Sequence, residues 1–361
     1  MQLKYSDSET TIFHTDDDHW FMAQRTDWID CGKGLGIILV VYAHLLSSGY
    51  HAGLRIRHHF FLLSDSIVYS FHMPLFFFLA GLLVARSCKK RGPLLFLVNK
   101  VKFLAYPYLV WSFLQGCAEL FFSGHSHRGI TGGDILTIPY LPLAQFWFLY
   151  ALFWMYVAYA ALSSCGRFAP AAMVVVALVL FFFPVPTEIM ALHGFSTGFL
   201  FFVFGIFANE YLGNEEKYCV PVWATGILFP VFLGTAWYIF EFVIPPTRLT
   251  DGSHPFYFLF LAVFGGSMCV GLAQFVAGKP CFRFLQVLGI YSLQIYLVHM
   301  LAGVGTRIFL LRVFHLENPV LHMIIGVSAG LLVPILIYKT ALKVHFPYLF
   351  EPEKVAIRAS L

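Results

Sequence analysis

The stretch KGLGIILVVYAH, from Lys33 to His44, places two ionisable residues at the ends of an otherwise apolar segment. It lies within the longer apolar run 32–50, and about 20 apolar residues suffice to cross the hydrocarbon core of a bilayer as an α-helix. The segment therefore predicts a membrane-spanning helix with a lysine at one boundary and a histidine near the middle of the bilayer.

The composition of the whole chain agrees with this interpretation. Of its 361 residues, 59% are hydrophobic, 18% are aromatic and 12% are charged, which is about half the charged share of an average soluble domain. The formal charge of +4 comes without a long basic tract, so we expect no nucleic-acid partner. We predict an all-α, polytopic transmembrane helical bundle with the lipid bilayer as its environment.

Apolar runs of suitable length recur along the chain. We predict ten membrane-spanning helices, at 32–50, 67–86, 102–122, 144–163, 170–187, 195–211, 220–244, 256–277, 288–311 and 319–343. The segment FFFPVPTEIMALHGFS, which joins the fifth and sixth of these, is also compatible with a re-entrant loop.

The charged residues predict the orientation and the domain limits. Most of the 23 Lys and Arg residues lie on the same side of the predicted helices as the N-terminus, and cytoplasmic loops carry such an excess. We therefore predict a polar cytoplasmic N-terminal tail at 1–31, a transmembrane domain at 32–343 and a cytoplasmic C-terminal tail at 344–361.

The seven cysteines are scattered without a CxxC spacing. Such spacing gives no indication of a disulfide framework or of a zinc site. We expect no bound metal and no bound cofactor.

Lys33 and His44 are eleven positions apart. At about 100° and 1.5 Å per residue, their side chains share one helix face and lie about 16 Å apart along the axis. Ionisable groups at the depth of His44 are costly and usually line a cavity or a path. The alternative is a histidine that bonds to a neighbouring helix and a lysine that reaches the lipid headgroups.

Two further observations favour a functional interpretation. Gly32, Gly34 and Gly36 leave the start of the helix bare, so a ligand or another backbone can approach it closely. His72 and His299 also lie in apolar segments, and three such histidines in one bundle are hard to explain by packing alone.

Four segments resemble the acyltransferase-3 family, including its fucose 4-O-acetylase-like branch. These segments are RTDWIDCGKGLGIILVVYAH (25–44), SFHMPLFFFLAGLLV (70–84), AQFWFLYALFW (144–154) and GIYSLQIYLVHM (289–300). The family consists of bacterial integral membrane O-acyltransferases that modify polysaccharides. Its first helix carries a basic residue, ten intervening residues and a histidine, which correspond here to Lys33 and His44.

The resemblance implies an enzyme of the bacterial inner membrane that transfers an acyl group from acyl-CoA to a polysaccharide or a lipid-linked oligosaccharide. Acetyl-CoA is the expected co-substrate, with succinyl transfer as the alternative. His44 is the expected catalytic residue, as general base or as acyl acceptor. The family often has an RxxR pair before the third helix, where this chain has Lys100 and Lys102.

The remaining candidates have supporting roles in this hypothesis. Lys33, Lys100 and Lys102 are expected to bind the donor phosphates, and Asp30 to orient Lys33. The acceptor-side candidates are His72, Gln145, Trp147, Tyr296 and His299. Helix-entry geometry at His72, an interfacial belt for Gln145 and Trp147, and interhelical packing for Tyr296 and His299 are the alternatives that the residues leave open.

A second class of function remains compatible with the sequence. Buried histidines among about ten helices also suit a proton-coupled transporter or flippase of a glycan-related substrate. Such proteins often show inverted repeats, and no half-to-half symmetry is evident here. The sequence leaves the oligomeric state open.

Overall fold

The computed structural model describes residues 27–121, 131–187, 189–211, 220–244 and 254–352. Over these ranges the chain forms helices and no β-strand. The α-helices are α1 (Asp27–His51), α2 (His58–Tyr69), α3 (His72–Arg91), α4 (Pro93–Lys100), α5 (Tyr106–Phe121), α6 (Gly132–Leu136), α7 (Trp147–Ser163), α8 (Ala169–Phe182), α9 (Met190–Tyr211), α10 (Val222–Tyr238), α11 (Pro255–Val276), α12 (Arg283–Ile290), α13 (Ser292–Val313) and α14 (Pro319–Lys343). Most of the predicted N-terminal tail and the end of the C-terminal tail lie outside the described residues.

Nine helical segments among the described residues are long and apolar enough to span a membrane. This confirms the predicted all-α polytopic bundle. The predicted span 170–187 corresponds to α8, which has only 14 residues and is about 21 Å long, less than the hydrocarbon core of about 30 Å. The helix ends before Pro184 and Pro186, because proline cannot continue the hydrogen-bonding pattern.

The second span begins earlier than predicted. It runs from His58 to Arg91 and is interrupted at Ser70 and Phe71, between α2 and α3. The prediction of a helix at 67–86 placed His72 at its outer start. A helix, α3, does begin at His72, but α2 precedes it, so the prediction was wrong that His72 lies at the outer end of the span. Polar residues in the sequence HHFFLLSDS, which forms most of α2, made this segment resemble a loop.

The third span also differs from the prediction of a helix at 102–122. It starts at Pro93 and contains a π-helical segment, Val101–Ala105, between α4 and α5. Pro107 has no N–H group, so it cannot donate to the carbonyl four residues earlier. Such π-helical segments are rare and occur frequently at functional sites. Lys102 lies in this segment.

Helix α1 is central in the bundle, because it contacts α2, α3, α11, α12, α13 and α14. Its closest neighbour is α12. A Cβ atom at Gly34 would collide with the carbonyl oxygen of Leu285, and one at Gly289 with the carbonyl oxygen of Asp30. Of the two possibilities for the glycine-rich start of α1, the structure therefore shows close approach of another backbone.

The first residues of the predicted C-terminal tail pack against the bundle. After α14 the chain turns into a short 3₁₀ helix, Pro347–Leu349. Phe350 is 3% exposed, with its ring centroid 5.2 Å from that of Trp111 and 5.1 Å from that of Tyr338. This segment thus joins α5 to α14.

Candidate active site

The imidazole of His44 faces two residues from other helices. Its ring centroid lies 5.3 Å from that of His299 in α13 and 6.2 Å from that of Tyr69 in α2. His299 is completely buried, whereas His44 keeps part of its surface accessible. The His44 ring therefore points towards α2 and α13, and the residue is partly exposed.

The neighbouring His299 is held by main-chain hydrogen bonds. Its Nδ1 lies 2.8 Å from the carbonyl oxygen of Tyr296 and 3.2 Å from that of Ile295. Carbonyl oxygens only accept hydrogen bonds, so Nδ1 carries the hydrogen and Nε2 of the neutral ring presents its lone pair. This Nε2 atom is buried and has no hydrogen-bond partner among the described residues.

His72 has the same arrangement on the other side of Tyr69. It is completely buried, and its Nδ1 donates to the carbonyl oxygen of Val68 at 2.7 Å. Its Nε2 also has no hydrogen-bond partner within the described part of the chain. The ring centroids of His72 and Tyr69 are 4.8 Å apart. The break between α2 and α3 places His72 here, deep in its span.

Tyr296 connects this group to Gln145. Its ring centroid lies 5.9 Å from that of His299, and its hydroxyl donates to the main-chain carbonyl of Gln145. We call His44, Tyr69, His72, Tyr296 and His299 the histidine cluster. The structure thus brings together the candidates His44, His72, Tyr296 and His299, and places Gln145 beside them.

A second group of candidates lies at the other end of α1. Nζ of Lys33 is 3.3 Å from Oδ1 of Asp30, whose side chain is 4% exposed. Nζ of Lys100 lies 3.9 Å from the ring centroid of Tyr156 and 5.2 Å from that of Phe96. These are distances at which a cation is attracted to an aromatic face.

Lys100 experiences Coulomb repulsion from both Lys33 and Arg91. We call these three residues the cation cluster. Lys33 and His44 belong to one unbroken helix, so about 16 Å separates the cation cluster from the histidine cluster along the axis of α1. The arrangement places three cationic side chains at one end of α1 and histidine nitrogens that can act as bases further in.

The comparison with known families agrees with this geometry. The family model of the acyltransferase-3 family, described as an acyltransferase domain, matches residues 26–339. This chain belongs to the acyltransferase-3 family. The protein is therefore a multi-pass membrane acyltransferase, and the matched range includes both clusters. No curated protein and no solved structure matches the chain.

One acceptor-side candidate of the acyltransferase, Trp147, lies away from the histidine cluster. Trp147 packs against α9, where a Cβ atom at Gly194 would collide with its indole ring. The preceding corner of the chain is unusual, because Ala144 has a φ of 45°. Non-glycine residues in this region are strained and persist only when the surrounding structure holds them. The corner directs Trp147 to α9 and Gln145 to Tyr296.

Sequence reasoning did not identify Tyr69 of the histidine cluster, nor Gln115 and Glu119 beside the predicted Gln145. Gln115 and Gln145 exchange hydrogen bonds between their side-chain amides, at 2.6 and 3.2 Å, and Gln115 also donates to Glu119 at 2.9 Å. Both glutamines are buried, at 1% and 3% exposure. The i, i+4 spacing of Gln115 and Glu119 in an apolar helix was the signal that could have identified them.

Proposed function

We propose that this acyltransferase moves an acyl group from cytoplasmic acyl-CoA to a sugar hydroxyl of an exported polysaccharide or of its lipid-linked repeat. Acetyl is the acyl group we propose first, with the bacterial inner membrane as the location. The proposal is carried by one observation: the ring of His44 lies 5.3 Å from that of His299, whose Nε2 has no hydrogen-bond partner among the described residues, and His44 shares a helix with Lys33.

The cation cluster supports the choice of acyl-CoA as donor. Coenzyme A carries several phosphates at one end and its thioester at the end of a long flexible arm. Lys33 and Lys100, together with Lys102, would hold the phosphates as point charges, since lysine lacks the bidentate fork of arginine. The distance of about 16 Å along α1 suits a donor whose phosphates and thioester bind at separate places.

The histidine cluster supports two routes for the transfer. In the first, His44 takes the proton of the sugar hydroxyl as that oxygen attacks the thioester carbonyl, and the departing thiolate then receives the proton. In the second, a nitrogen of His44 attacks the thioester, CoA leaves as the thiol, and the sugar hydroxyl then attacks the acyl-imidazole. In the second route the lone pair on Nε2 of His299 can accept the proton of the sugar and return it to the His44 nitrogen that releases the acyl group.

Radiolabel transfer tests the proposal. The purified protein in proteoliposomes receives acetyl-CoA labelled in the acetyl group, together with polysaccharide from the host cell. We expect label on the sugar with the native protein and none with His44→Ala, at equal insertion and equal elution from a sizing column. Full labelling by the variant would contradict the role of His44. Uptake of sugar without labelling by the native protein would favour a transporter or flippase.

A further inference from the structure

Asp65 is a carboxylate within the second membrane-spanning segment that the transfer mechanism leaves without a role. It is half-buried in α2 and makes no hydrogen bond or ion pair with any other described residue. A charged side chain inside a membrane protein is costly, and such residues usually mark a substrate or ion path. The position of Asp65 in the fold indicates whether it belongs to a substrate path or to an ion path.

Asp65 lies four residues before Tyr69, so the two side chains share one face of α2, about 6 Å apart along the axis. Tyr69 contacts His44 and His72. The hydroxyl of Tyr50, near the end of α1, lies 2.7 Å from Nδ1 of His58 at the start of α2. Ser64, next to Asp65, bonds to Tyr42 of α1 at 2.8 Å, so Asp65 lies near the depth of His44 and nearer than Tyr69 to the end of the bundle opposite to the cation cluster.

His72, on the other side of Tyr69, provides an independent observation. Its Nε2 is buried, carries a lone pair and has no hydrogen-bond partner among the described residues. The carboxylate of Asp65 also only accepts hydrogen bonds when ionised. Two acceptors without a donor are complementary to a ligand that offers two donors, since unpaired buried acceptors are costly.

We propose that Asp65 and His72 form a subsite for the acceptor sugar, in which each accepts a hydrogen bond from a hydroxyl group. The ligand is an uncharged, hydroxyl-rich sugar residue, because a carboxylate repels uronates and phosphates. This inference rests on the proposed acyl transfer and adds the chemical class of its acceptor. Asp65 lies on the helix that enters the bundle from the end opposite to the cation cluster, the end from which an exported glycan would reach His44.

The test uses the full-length protein in proteoliposomes with acetyl-CoA as donor. The probes are the neutral and the acidic fractions of the host polysaccharide, separated by anion exchange. We expect the native protein to label the neutral fraction preferentially. In Asp65→Asn the KM for the neutral fraction should rise about 10- to 100-fold, the loss expected for a hydrogen bond to a charged group, while the KM for the donor stays unchanged.

Glu317→Gln is the matched control. Its carboxylate is exposed and lies 3.8 Å from Arg55 at the same end of the bundle, so it removes one negative charge without touching the subsite. Asp65→Glu, which keeps the charge, should lose less affinity for the acceptor than Asp65→Asn.

Three results would overturn the inference. The first is an unchanged KM for the acceptor in Asp65→Asn. The second is equal labelling of the neutral and acidic fractions by the native protein. The third is a transfer rate that depends on sodium in the native protein but not in Asp65→Asn, while the KM for the acceptor is retained. The comparison of fractions needs no variant and therefore stands even if Asp65→Asn fails to fold. Absence of any labelling by the native protein would instead contradict the proposed function itself.

Discussion

His299 holds its imidazole 5.3 Å from that of His44, measured between ring centroids, although the two residues come from opposite ends of the chain. The main-chain hydrogen bonds of His299 determine which of its nitrogens faces outward as a base. The pair therefore supplies two nitrogen bases at one point of the bundle, and the acyl group and the proton need not share a single nitrogen.

Replacement of His299 by glutamine should lower kcat by about 100-fold, because general base catalysis contributes 10²–10⁴-fold. The KM values for donor and acceptor should change little. Steady-state kinetics of acetyl transfer in proteoliposomes measure both. The control is His322→Gln, which alters another buried histidine of the bundle, one that bonds the carbonyl of Leu316. An unaltered kcat in His299→Gln would leave His44 as the only base.

Reversal of charge at Lys33 should raise the KM for acyl-CoA about tenfold or more, since a carboxylate would repel the donor phosphates. Lys33→Glu and Lys100→Glu should act alike, and added salt should weaken the difference from the native protein by screening. Lys33→Arg should keep near-native kinetics. Initial rates at varied donor concentration and ionic strength measure these effects. Lys343→Glu, at the end of α14, is the control. An equal rise of the KM for acyl-CoA in that variant would show that the overall charge of the protein, and not the cation cluster, determines donor binding.

Loss of the Gln115 side chain should destabilise the protein by about 1–3 kcal/mol, the cost of leaving a buried partner unsatisfied. In Gln115→Ala the side-chain amide of Gln145 loses its partner, and the main-chain carbonyl of Gln145 is the group that accepts from Tyr296. We expect a lower thermal midpoint in detergent and a reduced kcat. The double variant Gln115→Ala/Gln145→Ala should cost less than the sum of the single variants, and strict additivity would show that the two amides act independently.

A single methyl group at Gly34 should destabilise the fold. In Gly34→Ala the new Cβ meets the carbonyl oxygen of Leu285, and forced displacement in a packed core costs about 1–3 kcal/mol. Gly234→Ala in α10 is the matched control, because no atom lies within 4 Å of its Cβ position and alanine favours helix by about 1 kcal/mol. Thermal unfolding in detergent compares them. Equal midpoints would show that α12 can move away from α1 at little cost.

Features that depend on local sequence were predicted correctly, whereas features that depend on contacts between distant residues were not. Helix identity could be predicted because the length of an apolar run is a local property. The misplaced start of the second span and the short α8 arose where polar residues or prolines interrupt such a run. His72 illustrates the consequence, because an error in one helix start moved it from the interior of a span to its outer end.

The sequence by itself determined that the chain is a bundle of membrane-spanning helices and that Lys33 and His44 share one face. Both follow from hydrophobic length and from the 3.6-residue period of the helix, which need no knowledge of neighbouring elements. Only the tertiary structure decided that His44 meets His299 and Tyr69, that α12 covers Gly34, and that Gln115 supports Gln145. Side-chain packing and hydrogen bonds between helices select these contacts in a membrane, and they depend on how each helix is rotated and where it is broken.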